Sequence, residues 1–247
     1  MSNVAPAESV PLIPRDRSVH PVAYDVNYKT SVTRSPKFPL LAMESTATEE
    51  FGPVFSQNDM GPLDNNLILN WTQGKEPAVG ERILVHGRIQ DENCRPVPNT
   101  LVEIWQANAG GRYRHIKDTY LAPLDPNFGG CGRTVTDENG RYQFLTIRPG
   151  AYPWPNRGND WRPMHIHFSV FGSGFGHRLI TQMYFEGDPL IYRCPIVATV
   201  KERGHIDRLV APLDFGHSKP LDYLAYRFDI ILRGNRQTMF ENKPEGM

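Results

Sequence analysis

The chain predicts an all-β fold, an antiparallel β-sandwich with long loops and an extended N-terminal arm. Three observations predict it. From Arg82 onward, short runs rich in β-branched and aromatic residues follow one another. Asp, Asn, Gly and Pro clusters such as "DENCRPVPN" and "DENG" separate them with hairpin or Greek-key turn chemistry. Nothing between the runs is helical for long enough to serve as a parallel crossover.

The elements follow in order. The first 80 or so residues are rich in Pro, Ser, Thr and Asn, and Pro21, Pro36, Pro39, Pro53 and Pro62 break any regular periodicity. Residues 1–80 therefore read as an arm that packs on its own core or on a partner, with one short helix near "DNNLILNW". Residues 81–247 read as the sandwich domain. Its strands are "RILVHGRIQ", "TLVEIWQAN", "RTVTD", "RYQFLTI", "HIHFSVFG", "RLITQMYF" and, near the end, "YRFDIILRG". Two long loops interrupt the series, "AGGRYRHIKDTYLAPLDPNFGG" and "RPGAYPWPNRGNDWRP". Long ordered loops on a rigid sandwich are where sites are built.

Charge and cysteine content narrow the function class. Lys plus Arg and Asp plus Glu are both 27, so net charge is zero and the electrostatic footprint of a nucleic-acid binder is missing. Cys94, Cys131 and Cys194 lie far apart in odd number, which argues against a disulfide framework and for a reducing, cytoplasmic setting. The N-terminus lacks a basic start followed by an apolar run, and no stretch nears the roughly 18 apolar residues of a membrane span.

The chemistry-bearing motif is "WRPMHIHF". On an extended chain His165 and His167 point one way and Ile166 and Phe168 the other, so two imidazoles on one face can share a metal. A packed, hydrogen-bonded strand explains the pair equally well. The next acid after His167 is Glu186, too distant for a cupin-like ligand set or a facial triad, and Cys194 has no companion for a zinc site. Tyr113 and Tyr152 lie on the two irregular loops and are the better candidates, although with ten tyrosines in the chain position alone does not decide. If both ligate, the metal is a hard trivalent ion: holding a phenol of pKa near 10 as phenolate at neutral pH takes about 4 kcal/mol, which such a cation supplies. Two phenolates, two neutral imidazoles and a hydroxide bring Fe³⁺ to zero net charge, which suits a partly buried site.

"VEIWQANAGGRYRH", "DPNFGG", "PGAYPWPN", "NDWRPMHIHF", "LITQMYFEGDPLI" and "YRFDIILRG" together resemble the intradiol ring-cleaving dioxygenases. The resemblance runs from "HPVAYDVNYKTSVTRSP" to "FEN", nearly the whole chain. It implies a transthyretin-like (prealbumin-like) sandwich holding non-haem Fe(III) on Tyr113, Tyr152, His165 and His167. It implies catalytic roles for Tyr152, Arg162 and Gln182, and a substrate pocket of Tyr28, Trp105, Trp154, Arg162, Gln182 and Ile196. Ala151, Pro155 and Met164 depart from the family pattern, and none is an implied ligand. The implied reaction is O₂-dependent cleavage of 3,4-dihydroxybenzoate to 3-carboxy-cis,cis-muconate, within the β-ketoadipate route of aromatic degradation. The implied partner is a homologous α chain, forming αβ units in a larger symmetric oligomer. Alternatives are an intradiol enzyme for catechol, chlorocatechol or hydroxyquinol, or a non-catalytic transthyretin-like binding subunit. The Pro-rich opening disfavours the former, whose relatives open with a helical dimerisation region, and retention of all four implied ligands disfavours the latter.

Overall fold

A computed structural model describes residues 21–22, 24–35, 38, 55–72, 74, 76–171 and 178–232, so most of the arm expected over 1–80 lies outside the described residues. Strand alternation builds the core. β1 (Arg82–Asp91) turns Ile83, Val85 and Ile89 inward and leaves Leu84, His86 and Arg88 on its other face. β4 (Arg141–Ile147) pairs antiparallel with it, setting Phe144 opposite Val85. β10 (Leu224–Arg227) and β11 (Ile230–Leu232) run parallel to β1, one after the other along its opposite edge.

A five-stranded sheet runs in the order β3 (Cys131–Val135), β2 (Leu101–Gln106), β7 (His165–Phe171), β8 (Arg178–Phe185), β9 (Val210–Ala211). Its inward residues, including Val102, Ile104, Ile166, Phe168, Val170 and Met183, share one buried cluster with Ile83, Val85, Ile89 and Phe144 of the first sheet. Phe168 is the hub: its ring meets Tyr142, Phe144 and Phe228 at centroid distances of 5.8, 6.5 and 5.1 Å. A third, two-stranded piece joins β5 (Tyr152–Pro153) to β6 (Trp161–Arg162). Among the described residues the helices are short, α1 (Lys29–Arg34) and α2 (Arg203–Asp207) with a few 3₁₀ turns, and none is long and apolar enough to cross a membrane.

The β-rich class holds, and four expectations need correction. The sheets are mixed rather than antiparallel throughout, because β10, β11 and β9 all join a neighbour in parallel. The connection from β8 to β9 runs through single helical turns, Ile191–Arg193, Val197–Thr199 and α2, too short to register as a helical period, whereas β10 and β11 join β1 from far along the chain. The run "YRFDIILRG" is two strands. It breaks where the Asp229 carboxylate accepts the Arg88 backbone N–H at 2.9 Å and where a Cβ on Gly87 would strike the Phe228 carbonyl. "DNNLILNW" is a series of turns held by a bridge between Asn66 and Leu145, and it still sends Leu67 and Ile68 into the core. The loop "RPGAYPWPNRGNDWRP" contains the β5–β6 pair. The three cysteines are free.

Phe168→Ala is expected to cost about 3–5 kcal/mol in denaturant unfolding, because it leaves a cavity between the sheets. Ile231→Ala, on an exposed position of β11, should stay within about 0.5 kcal/mol.

Candidate metal centre

The site stands on the outer face of the five-stranded sheet. Ile166, Phe168 and Val170 take the core side of β7, so His165 and His167 face the other way, as their spacing predicts. Register sets Trp105 of β2 and Gln182 of β8 opposite His167, and Tyr184 opposite His165. Directly opposed residues share a face. The Trp105 ring stacks on the His167 imidazole, 4.7 Å between centroids and 6° from parallel.

Two loops cover this face, and Asn108 ties them together. Its side-chain oxygen accepts the N–H groups of Gly110 and Arg112 at 3.0 and 2.9 Å, while its backbone carbonyl accepts those of Gly111 and Gly150, both at 2.9 Å. Gly111 is required where the loops touch: its φ of 81° is left-handed, and a Cβ there would collide with the Ala151 carbonyl. The first loop then delivers Tyr113, whose N–H donates to Asp118 Oδ2 at 2.8 Å. The second delivers Tyr152 on β5, paired with Arg162 on β6.

The two phenols meet at one nitrogen. Tyr113 Oη and Tyr152 Oη lie 3.3 and 3.4 Å from His165 Nε2. His165 Nδ1 donates to the Pro163 carbonyl at 2.6 Å, and because a carbonyl only accepts, the proton resides on Nδ1 and the Nε2 lone pair faces the phenols. The two phenols also hydrogen-bond each other, so three donor atoms converge on one point. A cation between them satisfies all three, and donor atoms each about 2 Å from a small ion lie about 3 to 3.5 Å apart. His167 flanks the same point, its ring 4.9 Å from His165 and 6.2 Å from Tyr113. Two hard phenol oxygens and two imidazoles fit a ferric ion.

In the metal-free protein the electrostatics favour neutral imidazoles and oppose phenolates. Burial, reinforced by the nearby Arg162 charge, holds the His165 pKa well below its ordinary value and that of His167 at about 4, so both imidazoles are neutral at pH 7. Burial raises the phenol pKa of Tyr113 and Tyr152, and Arg162 works against that rise in each. Arg162 is buried, donates to Gln182 Oε1 and leaves its Nε without a partner. Its guanidinium lies 6.0 Å from the Trp154 ring, which in turn meets Tyr28 edge-on at 5.5 Å.

The structure thus brings Tyr113, Tyr152, Arg162, His165, His167, Trp105 and Gln182 together, with Trp154 and Tyr28 extending one wall. Ile196 sits in the adjoining apolar cluster with Tyr184 and Cys194. Sequence reasoning missed Tyr184, which donates to Gln182 Oε1 at 2.8 Å and lies against His165. It also missed Asp188, which accepts the Met164 N–H at 2.8 Å just before the histidines. The spacing in "QMYF" places Gln182 and Tyr184 on one face, but only the register shows that His165 and His167 are opposite them.

The depressed His167 pKa carries a sign. The unfolded chain takes up a proton near pH 6.5 while the folded one waits until about 4, so stability is full above the first value and falls toward the second. Metal-free protein should lose about 2 kcal/mol from this residue between pH 7 and pH 5. Urea unfolding at both pH values checks it, with His167→Gln expected to remove that part of the loss.

Comparison with known proteins bears on the family. Residues 51–234 match the family model described as "Dioxygenase", and residues 13–46 match "Protocatechuate 3,4-dioxygenase beta subunit N terminal". The protocatechuate 3,4-dioxygenase beta chain of Burkholderia cepacia is 50% identical over 93% of this chain and 97% of its own length. The corresponding alpha chain of Pseudomonas putida is 31% identical over 69% of this chain and 81% of its own. In fold alone, the solved 3-chlorocatechol 1,2-dioxygenase of Rhodococcus opacus superposes with a TM-score of 0.54 at 22% identity, covering 85% of this chain and 78% of that one. A match spanning most of the chain, together with phenols and imidazoles meeting above one sheet, leads to one assignment: the chain belongs to the intradiol ring-cleaving dioxygenases.

Proposed function

We propose that this chain is the iron-bearing subunit of an enzyme that cleaves protocatechuate (3,4-dihydroxybenzoate) with O₂ between its two hydroxylated carbons, giving 3-carboxy-cis,cis-muconate. The observation that carries the reading is the aim of two phenol oxygens at the single free nitrogen of His165. The full-length likeness to a protocatechuate 3,4-dioxygenase beta chain supports the substrate.

In this reading Tyr113, Tyr152, His165 and His167 hold ferric iron. When bound, the ion supplies a Lewis-acidic centre that favours the catechol dianion and readies it for O₂. The chain's own groups do the rest. Tyr152 Oη accepts a catechol proton as substrate arrives, so the basic group appears only when it is needed. Arg162, charged and buried beside Tyr152, stabilises anionic character that develops on the ring. Gln182 is positioned by Arg162 and Tyr184, both donating to its Oε1, which leaves its amide N–H groups to face the reacting pair. Tyr28 and Trp154 wall one side of the ring, Trp105 stacks on the His167 imidazole and fixes its plane, and Ile196 closes the apolar end.

The partner is a homologous α chain, which the likeness to an alpha chain supports. Ile116 and Leu121, each 94% exposed on the loop that carries Tyr113, support a partner surface beside the pocket. αβ units of this kind assemble into a larger symmetric particle. The sandwich is transthyretin-like, residues 1–80 form the arm and 81–247 the catalytic domain, and the protein works in the cytoplasm.

Purified protein, co-produced with its α-type partner, should contain iron, absorb visible light through phenolate-to-ferric charge transfer, and turn over protocatechuate at least about tenfold faster than catechol. An iron-free, colourless preparation with full activity would overturn the reading. Tyr152→Phe is expected to slow substrate docking about 100-fold with iron content unchanged, measured by anaerobic stopped-flow absorption. Unchanged docking kinetics would remove Tyr152 from its protonic role.

A further inference from the structure

We propose that His86, Asp214 and His217 form a second cation site, for a borderline divalent ion such as Zn²⁺, on the outward face of the four-stranded sheet. The site is independent of the candidate iron centre, whose histidines stand on the other sheet. His86 is on β1, where Ile83, Val85 and Ile89 take the core side and His86 the other. Asp214 and His217 belong to the turn after β9, which is pinned to β10 by the Asp214 N–H donating to the Ala225 carbonyl at 2.8 Å. β10 lies beside β1 in register, so turn and strand are held together by backbone pairing rather than by the three side chains themselves.

The three donors converge. His86 Nε2 and His217 Nδ1 lie 3.1 and 2.9 Å from the same oxygen, Asp214 Oδ2, and one ligand atom from each residue falls within 4.8 Å of the others. The two imidazole rings are 4.3 Å apart and inclined by 33°. A second observation points to a ligand: His86 Nε2 is buried, and its approach to Asp214 Oδ2 at 3.1 Å falls short of a well-directed hydrogen bond. Two imidazole nitrogens and a carboxylate oxygen are a donor set that zinc takes readily. The groove beside it, about 460 Å³, also carries Arg88, Arg141, Arg227 and Asp229, and has room for waters to complete the coordination shell. Arg227 opposes a cation, but Asp229 holds its guanidinium at 3.0 and 2.8 Å. His217 is mostly exposed, so an ion can enter from solvent. Binding would cross-link the turn following β9 to β1.

The test titrates iron-loaded protein with zinc chloride by isothermal calorimetry, following iron content and visible absorption to register any displacement at the iron centre. Wild type should take up one zinc per chain, saturating at concentrations on the order of 10 µM, with iron retained and the thermal unfolding midpoint raised. His217→Ala, a change at an exposed turn residue, should weaken uptake at least about tenfold and abolish the zinc-dependent rise. Absence of saturable binding up to about 100 µM zinc, or equal uptake by wild type and His217→Ala, would overturn the proposal. Zinc uptake matched by iron loss would overturn it too.

Discussion

The contact on which the site depends is the donation from His165 Nδ1 to the Pro163 carbonyl. A backbone carbonyl has no proton to give, so this one bond selects the tautomer and turns the opposite nitrogen, as an acceptor, toward Tyr113 and Tyr152. Burial then keeps the ring neutral, and the Arg162 guanidinium makes a proton there still less favourable. A ring with the other tautomer would present an N–H to the same point and repel any cation. Pro163 can offer its carbonyl freely because it lies between β6 and β7, outside either ladder.

A pocket on the outside of a sheet needs a roof, and here the roof is made of irregular chain. That exposes backbone polar groups to burial without the pairing a strand would provide. Asn108 answers much of this demand, receiving N–H groups from both loops and donating its own amide to the Pro123 carbonyl at 2.9 Å. Gly111 and Gly150 then allow the two backbones to approach more closely than any side chain would permit. The core between the two sheets, centred on Phe168, is on the opposite side of β7, so the demands of packing and of the candidate site fall on alternate residues of one strand.

That division explains what the sequence disclosed. His165 and His167 were legible because a period of two is local, and the β-rich class was legible because alternation and turn residues are local too. The parallel join of β9 was hidden because the helical turns before it are single, below the length at which helical periodicity can be seen, and those of β10 and β11 because their partner β1 lies far away in the chain. The split at Phe228 and Asp229 depends on Gly87 and Arg88, far away in the chain. Tyr184 and Asp188 look like ordinary strand and turn residues until register and folding set them beside the histidines. The convergence of Tyr113 and Tyr152 depends on Asn108, whose role is invisible without coordinates. The resemblance in motifs supplied what spacing could not.

The four candidate ligands do not rest on equally firm ground. His165 and His167 are embedded in a strand bonded along seven residue pairs to β8 and along five to β2, whereas Tyr152 rides on a ribbon of just two pairs. Local opening free energy grows with the number of cooperative contacts that must break together. The cradle is therefore half anvil and half latch: the imidazoles open only with the long ladders of β7, while the phenol that the proposed mechanism releases sits on the shorter ribbon, which costs less to swing.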